Sequence, residues 1–306
     1  MFPEHKYKFT HDLLYETVKQ SVPEQTWKEK NQQIANFLYD VYKNEMIVQG
    51  DRIADFFIKG NIDQNSFEPI FEAAKIALSQ KRYSNAIKYF EETVKIQKKL
   101  NLSINYSNLF EPYTEALFAS GNKDNIENAL EKWGKTKFDN DEDEIRYYKK
   151  YLEFLFIYRE MDKLPDIAKF AINRFNKEIF KEDRFGFKIR YCQALAYLIK
   201  FDEAIHLSLK LLRSLNGHSK SSQKIDLYYG LGFMVQQIGV INVASYITLL
   251  AKEIADQDSN LKQKVEVHKR IGFLASAQGY YKEALRIWSD LSFMTENQGY
   301  FLQNNF

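Results

Sequence analysis

A small residue followed twelve positions later by an alanine recurs along this chain of 306 residues. The segments IDLYYGLGFMVQQIGVINVASYITLLA and VEVHKRIGFLASAQGYYKEALRIWSDL show this spacing most clearly. The pairs are Gly232 and Ala244, Gly272 and Ala284, Cys192 and Ala204, and Ala74 and Ala86. Small side chains let two antiparallel helices approach closely, so the spacing predicts a series of packed helical hairpins.

Helical periodicity continues between these pairs, and no window shows the sustained polar and apolar alternation of a strand. The chain contains only 12 Gly and 5 Pro, which argues against all-β and Rossmann-type folds because both use these residues in many turns. We therefore predict an all-α protein of about fifteen helices joined by short polar segments.

The small-residue pattern resembles the tetratricopeptide repeat, and it extends from about Phe67 to the C-terminus. Six alanines mark successive second helices, namely Ala86, Ala129, Ala168, Ala204, Ala244 and Ala284. Their separations run from 36 to 43 residues, longer than the usual repeat, and Phe156 stands where a small residue belongs. The resemblance implies an α-solenoid with a right-handed superhelix, and a solenoid of HEAT type is the structural alternative.

The N-terminal residues resemble a segment of the signal-transduction ATPases with numerous domains, the group that includes the activator of the maltose regulon. The residues that carry the resemblance are Phe9, His11, Asp12, Leu13, Leu14, Val18, Val22, Pro23, Ile34, Ala35 and Leu38. In that family the segment closes an ATPase and winged-helix module and leads into tetratricopeptide repeats. The resemblance implies that residues 1–62 form such a helical segment and that residues 63–306 form about six repeats.

The chemistry of that ATPase is not expected here, because the sequence contains no GxxxxGK[ST] loop to hold nucleotide phosphates. No serine, histidine and acid constellation and no paired carboxylates can be assembled either. We therefore expect a protein that is not an enzyme and that needs no cofactor.

Metal binding is not expected, because the five histidines lack partners at ligand spacing. The acidic run from Asp139 to Glu144 lacks the glycine and glutamate positions of a calcium loop, and carboxylates at a helix start explain it better. The single cysteine, Cys192, takes a small-residue packing position, so a buried thiol is expected rather than a nucleophile.

The formal net charge of +2 gives no global bias toward nucleic acids or acidic membranes. The N-terminus lacks the pattern of a secretory signal, and the most apolar stretch is too short and too polar for a membrane span. One cysteine fits a reducing compartment, and these features together predict a cytoplasmic location.

In a solenoid, first-helix side chains that face neither partner helix line the concave surface. By their offset from the small residues these are Gln193, Tyr197, Tyr229, Phe233, Gln236, Lys269 and Phe273. Aromatic, amide and cationic groups together suit an extended peptide or a small polar ligand, although the same residues could simply face solvent. Some rings of the aromatic helix from Tyr147 to Glu160 could line the same groove or only pack in the core.

The primary functional hypothesis is a regulatory interaction module that binds a peptide or protein partner, such as an ATPase module. The alternative is the effector-sensing arm of a transcription activator that binds a small inducer. Neither hypothesis includes direct contact with nucleic acid or with a membrane.

Overall fold

Helices account for all regular secondary structure in the part of the chain that the computed structural model describes, which comprises residues 21–215, 221–257 and 261–296. The chain divides into two compact units, one up to Lys150 and one from Tyr151. The first unit contains α1 (Glu24–Tyr42), α2 (Met46–Lys59), α3 (Phe67–Ser79), α4 (Tyr83–Leu100), α5 (Tyr106–Ser120) and α6 (Lys123–Gly134), with short 3-10 turns at Lys43–Glu45 and Gln64–Ser66.

Helix α7 (Asp141–Ile157) has residues on both sides of that division. The second unit continues with α8 (Leu164–Arg174), a 3-10 turn at Glu178–Phe180, α9 (Lys181–Tyr197), α10 (Phe201–Ser214), α11 (Ser221–Gln237), α12 (Ile241–Gln257), α13 (Leu261–Ala277) and α14 (Tyr281–Glu296). Helices that follow one another pack together from α1 to α6 and from α8 to α14, and α9 also contacts α11, as α11 contacts α13. The first helices of three successive hairpins are therefore neighbours in the second unit.

The predicted hairpin contacts are confirmed at the marker alanines. All six lie on second helices, and each is at most 2% exposed: Ala86, Ala129, Ala168, Ala204, Ala244 and Ala284. The small residues on the first helices are buried as well, including Ala74 and Cys192. Close approach of the helices at these points removes apolar surface from water, which is the main force that stabilises such hairpins.

Gly272 shows why the small residue is needed. A Cβ atom added there would lie 2.9 Å from Cδ1 and 3.0 Å from Cε2 of Trp288, so even alanine would displace the indole ring. In the preceding hairpin a Cβ on Gly232 would lie 2.7 Å from Oγ1 of Thr248. The large side chain on the second helix and the glycine on the first thus fit each other.

Five of the hairpin turns share one backbone geometry. In each, an N–H group donates across the end of the first helix to a carbonyl five residues earlier, as from Lys200 to Leu195 at 2.9 Å and from Val240 to Val235 at 3.1 Å. The residue before that N–H has a positive φ. It is Gly239 at 87° in one turn but Ile199 at 62° in another, where the branched side chain strains the left-handed backbone.

The acidic run predicted to start a helix does so at α7. Asp143 is 2% exposed and forms an ion pair with Arg146. Its Oδ2 also accepts hydrogen bonds from Nδ2 of Asn105 at 2.8 Å and from Nδ2 of Asn140 at 3.1 Å. These contacts neutralise the buried carboxylate at the helix N-terminus, where the helix dipole also favours negative charge.

Part of the N-terminal resemblance falls outside the described residues, including Phe9, His11 and Asp12. On α1, Ala35 and Leu38 are buried, whereas Ile34 is 41% exposed. The proposed boundary between residues 62 and 63 stays a prediction. In the described part of the chain, no helix is both long and apolar enough to cross a membrane.

Candidate functional site

A cavity of about 300 Å³ lies within the second unit, between the first helices of successive hairpins. Helices α9, α11 and α13 supply most of its walls, and Phe156, Arg159 and Ser208 complete it. Six of the seven residues expected on the groove line this cavity, namely Gln193, Tyr197, Tyr229, Phe233, Lys269 and Phe273. The seventh, Gln236, does not line it, and its buried Oε1 has no hydrogen-bond partner among the described residues.

Helical spacing explains why these side chains converge. Gln193 and Tyr197 are four residues apart, as are Tyr229 and Phe233 on the neighbouring helix, so each pair lies on one helix face. The Tyr197 and Phe233 ring centroids are 5.4 Å apart, which joins the two faces into one aromatic wall.

Phe156 extends this wall from the end of α7. Its ring meets Tyr197 edge to face at 5.8 Å, and the Arg190 guanidinium lies 4.8 Å from its ring centre. The departure from the small-residue pattern at this position therefore contributes a side chain to the cavity. Elsewhere on the same aromatic helix Phe154 is buried, so both expectations for that helix hold for different rings.

Arg270 is one of the cavity residues that sequence reasoning missed. Its side chain is 9% exposed, and its guanidinium lies 4.9 Å from the ring centre of Phe233 and 5.9 Å from that of Tyr229. Its Nε and Nη2 atoms are buried without a hydrogen-bond partner among the described residues. Burial lowers the pKa of Arg270 below its usual value, although a guanidinium remains protonated at neutral pH.

A signal for this residue was present in the sequence. Arg190, Gly230 and Arg270 each stand two residues before a small packing residue, so they occupy equivalent positions on α9, α11 and α13. Gly230 also lines the cavity, and a Cβ added to it would meet no atom within 4 Å. The absence of a side chain at this position leaves open space between two arginine-bearing helices.

The charged groups of the cavity nearly balance. Arg159, Lys269 and Arg270 are cationic, whereas Asp226 and Glu266 are anionic, which leaves a formal net charge of +1. Nε2 of Gln263 donates a hydrogen bond of 3.2 Å to Oδ1 of Asp226. Glu266 lies one helical turn before Arg270 on α13 and forms no ion pair with it.

The Cys192 thiol and the Tyr229 hydroxyl in the cavity wall stay in their neutral forms. Burial raises the pKa of the Cys192 thiol to about 11, and burial likewise raises the pKa of Tyr229 to about 12. Both groups are therefore protonated at neutral pH, and the cysteine is not activated as a nucleophile. This matches the packing role expected of Cys192 from its position in the repeat.

The histidines of the described region lie away from the cavity wall. Nδ1 of His268 is 2.9 Å from the Lys264 carbonyl oxygen, and its Nε2 is 3.5 Å from Oδ1 of Asp256. No group of three or more histidine, cysteine, aspartate or glutamate side chains is placed to hold a metal ion in the described residues.

No protein-family model matches the chain, and no curated protein matches it. Among solved structures it is similar to Bacillus thuringiensis PlcR, crystallised in complex with the peptide PapR7 and DNA. The identity is 13%, the match covers 84% of this chain and 96% of that chain, and the TM-score is 0.54.

The chain is also similar to a putative kinesin light chain of Podosopora anserina with nearly identical TPR-like repeats, at 14% identity. That match covers 75% of this chain and 95% of the other chain, and its TM-score of 0.33 is too low to support an argument. At 13% identity the likeness to PlcR concerns the fold alone. The chain is an all-α protein of the solenoid class, built from tetratricopeptide-like helical hairpins.

Proposed function

We propose that this chain is a non-enzymatic regulatory module that binds a peptide in the cavity between α9, α11 and α13. The observation that carries the proposal is the lining itself. Aromatic rings from three neighbouring helices line a cavity that also contains a buried guanidinium, and two nitrogens of that guanidinium have no hydrogen-bond partner among the described residues. Pockets that combine apolar walls with a few oriented polar groups are typical of ligand sites.

The likeness to PlcR supports a peptide as the ligand, because that protein was crystallised with one. The PlcR complex also contains DNA, but we propose no nucleic-acid partner for this chain. Its formal net charge is +2, and the cavity lining carries only +1, which offers little attraction for a phosphate backbone. The N-terminal resemblance suggests that peptide binding is relayed to an ATPase module.

The test is selection of peptides from a randomised display library on the intact chain, followed by calorimetry with the selected peptides. Gly230→Leu places a side chain in the open space of the cavity, whereas Gly186→Leu makes the same change on α9 at a position outside the lining. Neither added Cβ meets an atom within 4 Å, so both variants should fold.

We expect Gly230→Leu to weaken peptide binding at least tenfold and Gly186→Leu to change it less than twofold. Equal binding to both variants would place the peptide elsewhere on the chain. If no peptide is enriched while sugars or other metabolites raise the melting temperature, the alternative of an effector-sensing arm is correct instead.

A further inference from the structure

The least satisfied charged group of the cavity is Arg270. It is nine-tenths buried and lines the cavity, yet Nε and Nη2 donate no hydrogen bond to any described residue. A buried guanidinium without a counter-ion is costly, and proteins normally pair such a group with a carboxylate. Here the closest candidate on the same helix, Glu266, is exposed and forms no ion pair with it. An anionic group of a ligand in the cavity would supply the missing partner once the Arg270 side chain turns to present these buried nitrogens to it.

The geometry of the free donors restricts the chemistry of that anion. Nε and one terminal nitrogen form one edge of the guanidinium fork, which matches the two oxygens of a carboxylate. A doubly charged phosphate fits less well, because the net charge of the lining is only +1 and Asp226 and Glu266 would repel it. One carboxylate neutralises the lining.

The surroundings of Arg270 also restrict the group next to the carboxylate. The guanidinium lies over Phe233, which in turn contacts Tyr197, while Phe273 lies one turn after Lys269 on the same lining. Tyr197 and Phe273 are each 41% exposed, so ligand contact would remove apolar ring surface from water. An apolar or aromatic side chain beside the carboxylate would cover these rings.

We infer that Arg270 binds a carboxylate of the peptide ligand and that the neighbouring ligand side chain, apolar or aromatic, packs on the rings of Tyr197, Phe233 and Phe273. This inference rests on the proposed peptide-binding function and names the group that the site recognises. The carboxylate can be the C-terminus of the peptide or the side chain of an acidic residue, and both present the same two oxygens.

The test uses short probes whose binding does not depend on the library. N-acetyl-phenylalanine carries a terminal carboxylate, and N-acetyl-phenylalaninamide is its neutral match. N-acetyl-Phe-Glu-amide carries a side-chain carboxylate, with N-acetyl-Phe-Gln-amide as its neutral match. Ligand-detected NMR titrations compare each pair on the intact chain and on Arg270→Met and Arg270→Lys.

We expect at least one acid to bind the unaltered chain ten times more tightly than its neutral match. The preference should fall below twofold in Arg270→Met and remain partly in Arg270→Lys, which keeps the charge but loses the fork. Whichever pair shows the preference identifies the source of the carboxylate. An acid preference that survives in Arg270→Met would overturn the inference, and so would its absence from both pairs.

Failure of this inference is distinguishable from failure of the proposed function. Library peptides whose binding is sensitive to Gly230→Leu but indifferent to Arg270→Met leave the function standing and remove the carboxylate contact. Acid probes that require Arg270, in a chain that enriches no peptide, keep the carboxylate site and remove the peptide from the function.

Discussion

Replacing Arg270 by methionine should make the unliganded protein more stable. Methionine has a similar length, is unbranched and adapts to irregular apolar spaces, so it can lie against Phe233 and Tyr229 as the arginine stem does. The substitution removes a buried charge and two donors that have no partner among the described residues. Most substitutions at buried positions destabilise a protein, so the sign of this prediction is distinctive.

The magnitude follows from two opposing contributions. An unpaired buried donor costs roughly 1–3 kcal/mol, and Arg270 has two of them. Methionine cannot form the cation–π contact that Arg270 makes with Phe233, and this contact contributes about 0.5–2 kcal/mol. The balance favours the variant by about 1 kcal/mol if each donor and the ring contact each contribute about 1 kcal/mol. For a unit as long as the second one, residues 151–306, that corresponds to a rise in melting temperature of roughly 2–4 °C.

Arg190→Met is the matched control. Arg190 occupies the equivalent position on α9 and also lies over an aromatic ring, that of Phe156 at 4.8 Å. Unlike Arg270 it is only half-buried, and its Nη1 donates a hydrogen bond of 2.9 Å to Oε1 of Gln193. Its loss should therefore lower the free energy of unfolding by about 0.5–1.5 kcal/mol.

Thermal and urea unfolding of the intact chain, followed by circular dichroism, measure both variants. A binding acid at ten times its dissociation constant should add about 1.4 kcal/mol to the unaltered chain and nothing to Arg270→Met. If Arg270→Met lowers the free energy of unfolding by 1 kcal/mol or more, the guanidinium has an internal partner and the reasoning fails.

Three further predictions test the hairpin packing, a hairpin turn and the cavity wall. Gly272→Ala must displace the indole of Trp288, so it should lower the free energy of unfolding by about 1–3 kcal/mol. Gly186→Ala adds a methyl group in open space, so it should raise the free energy of unfolding by up to about 1 kcal/mol. Chemical denaturation compares the two variants. Ile199→Gly should raise the free energy of unfolding by about 1 kcal/mol, because glycine tolerates the φ of 62°; an unchanged urea midpoint would contradict the strain. The Cys192 thiol ionises near pH 9.0 when unfolded and near 11 in the fold, so stability should fall as pH rises between these values, and a slope equally steep in Cys192→Ala would exclude the thiol as its source.

The hairpins could be predicted from the sequence because their determinants are local. A small residue and an alanine twelve positions apart place two contacts on opposite sides of one short turn, so the pattern is visible without knowledge of the rest of the fold. The groove candidates followed from the same offset, and six of them line the cavity. Their role in binding stays a prediction.

The cavity itself was harder to predict because it depends on side chains that neighbouring hairpins do not provide, such as a partner for the Arg270 guanidinium. Nothing in the segment around Arg270 indicates that its guanidinium lacks a partner, since Glu266 stands one turn away and could have paired with it. Gln236 was assigned to the groove by its offset, yet it lies outside the lining. Side-chain direction within a helix turn decides such cases, and sequence spacing alone does not give it.

Residues that depart from the repeat pattern lie at the cavity. Phe156 stands in place of a small residue and extends the aromatic wall, while Gly230 leaves open space where the equivalent positions carry arginine. Positions that keep the pattern, such as Ala204 and Ala244, are fully buried in the hairpin cores. Residues whose role is to stabilise the fold are expected to match the repeat pattern. Residues that depart from the pattern and leave a charge unpaired are expected where a ligand binds. If Arg270→Met is more stable than the unaltered chain and loses the preference for carboxylates, Arg270 lowers the stability of the fold in order to bind the ligand.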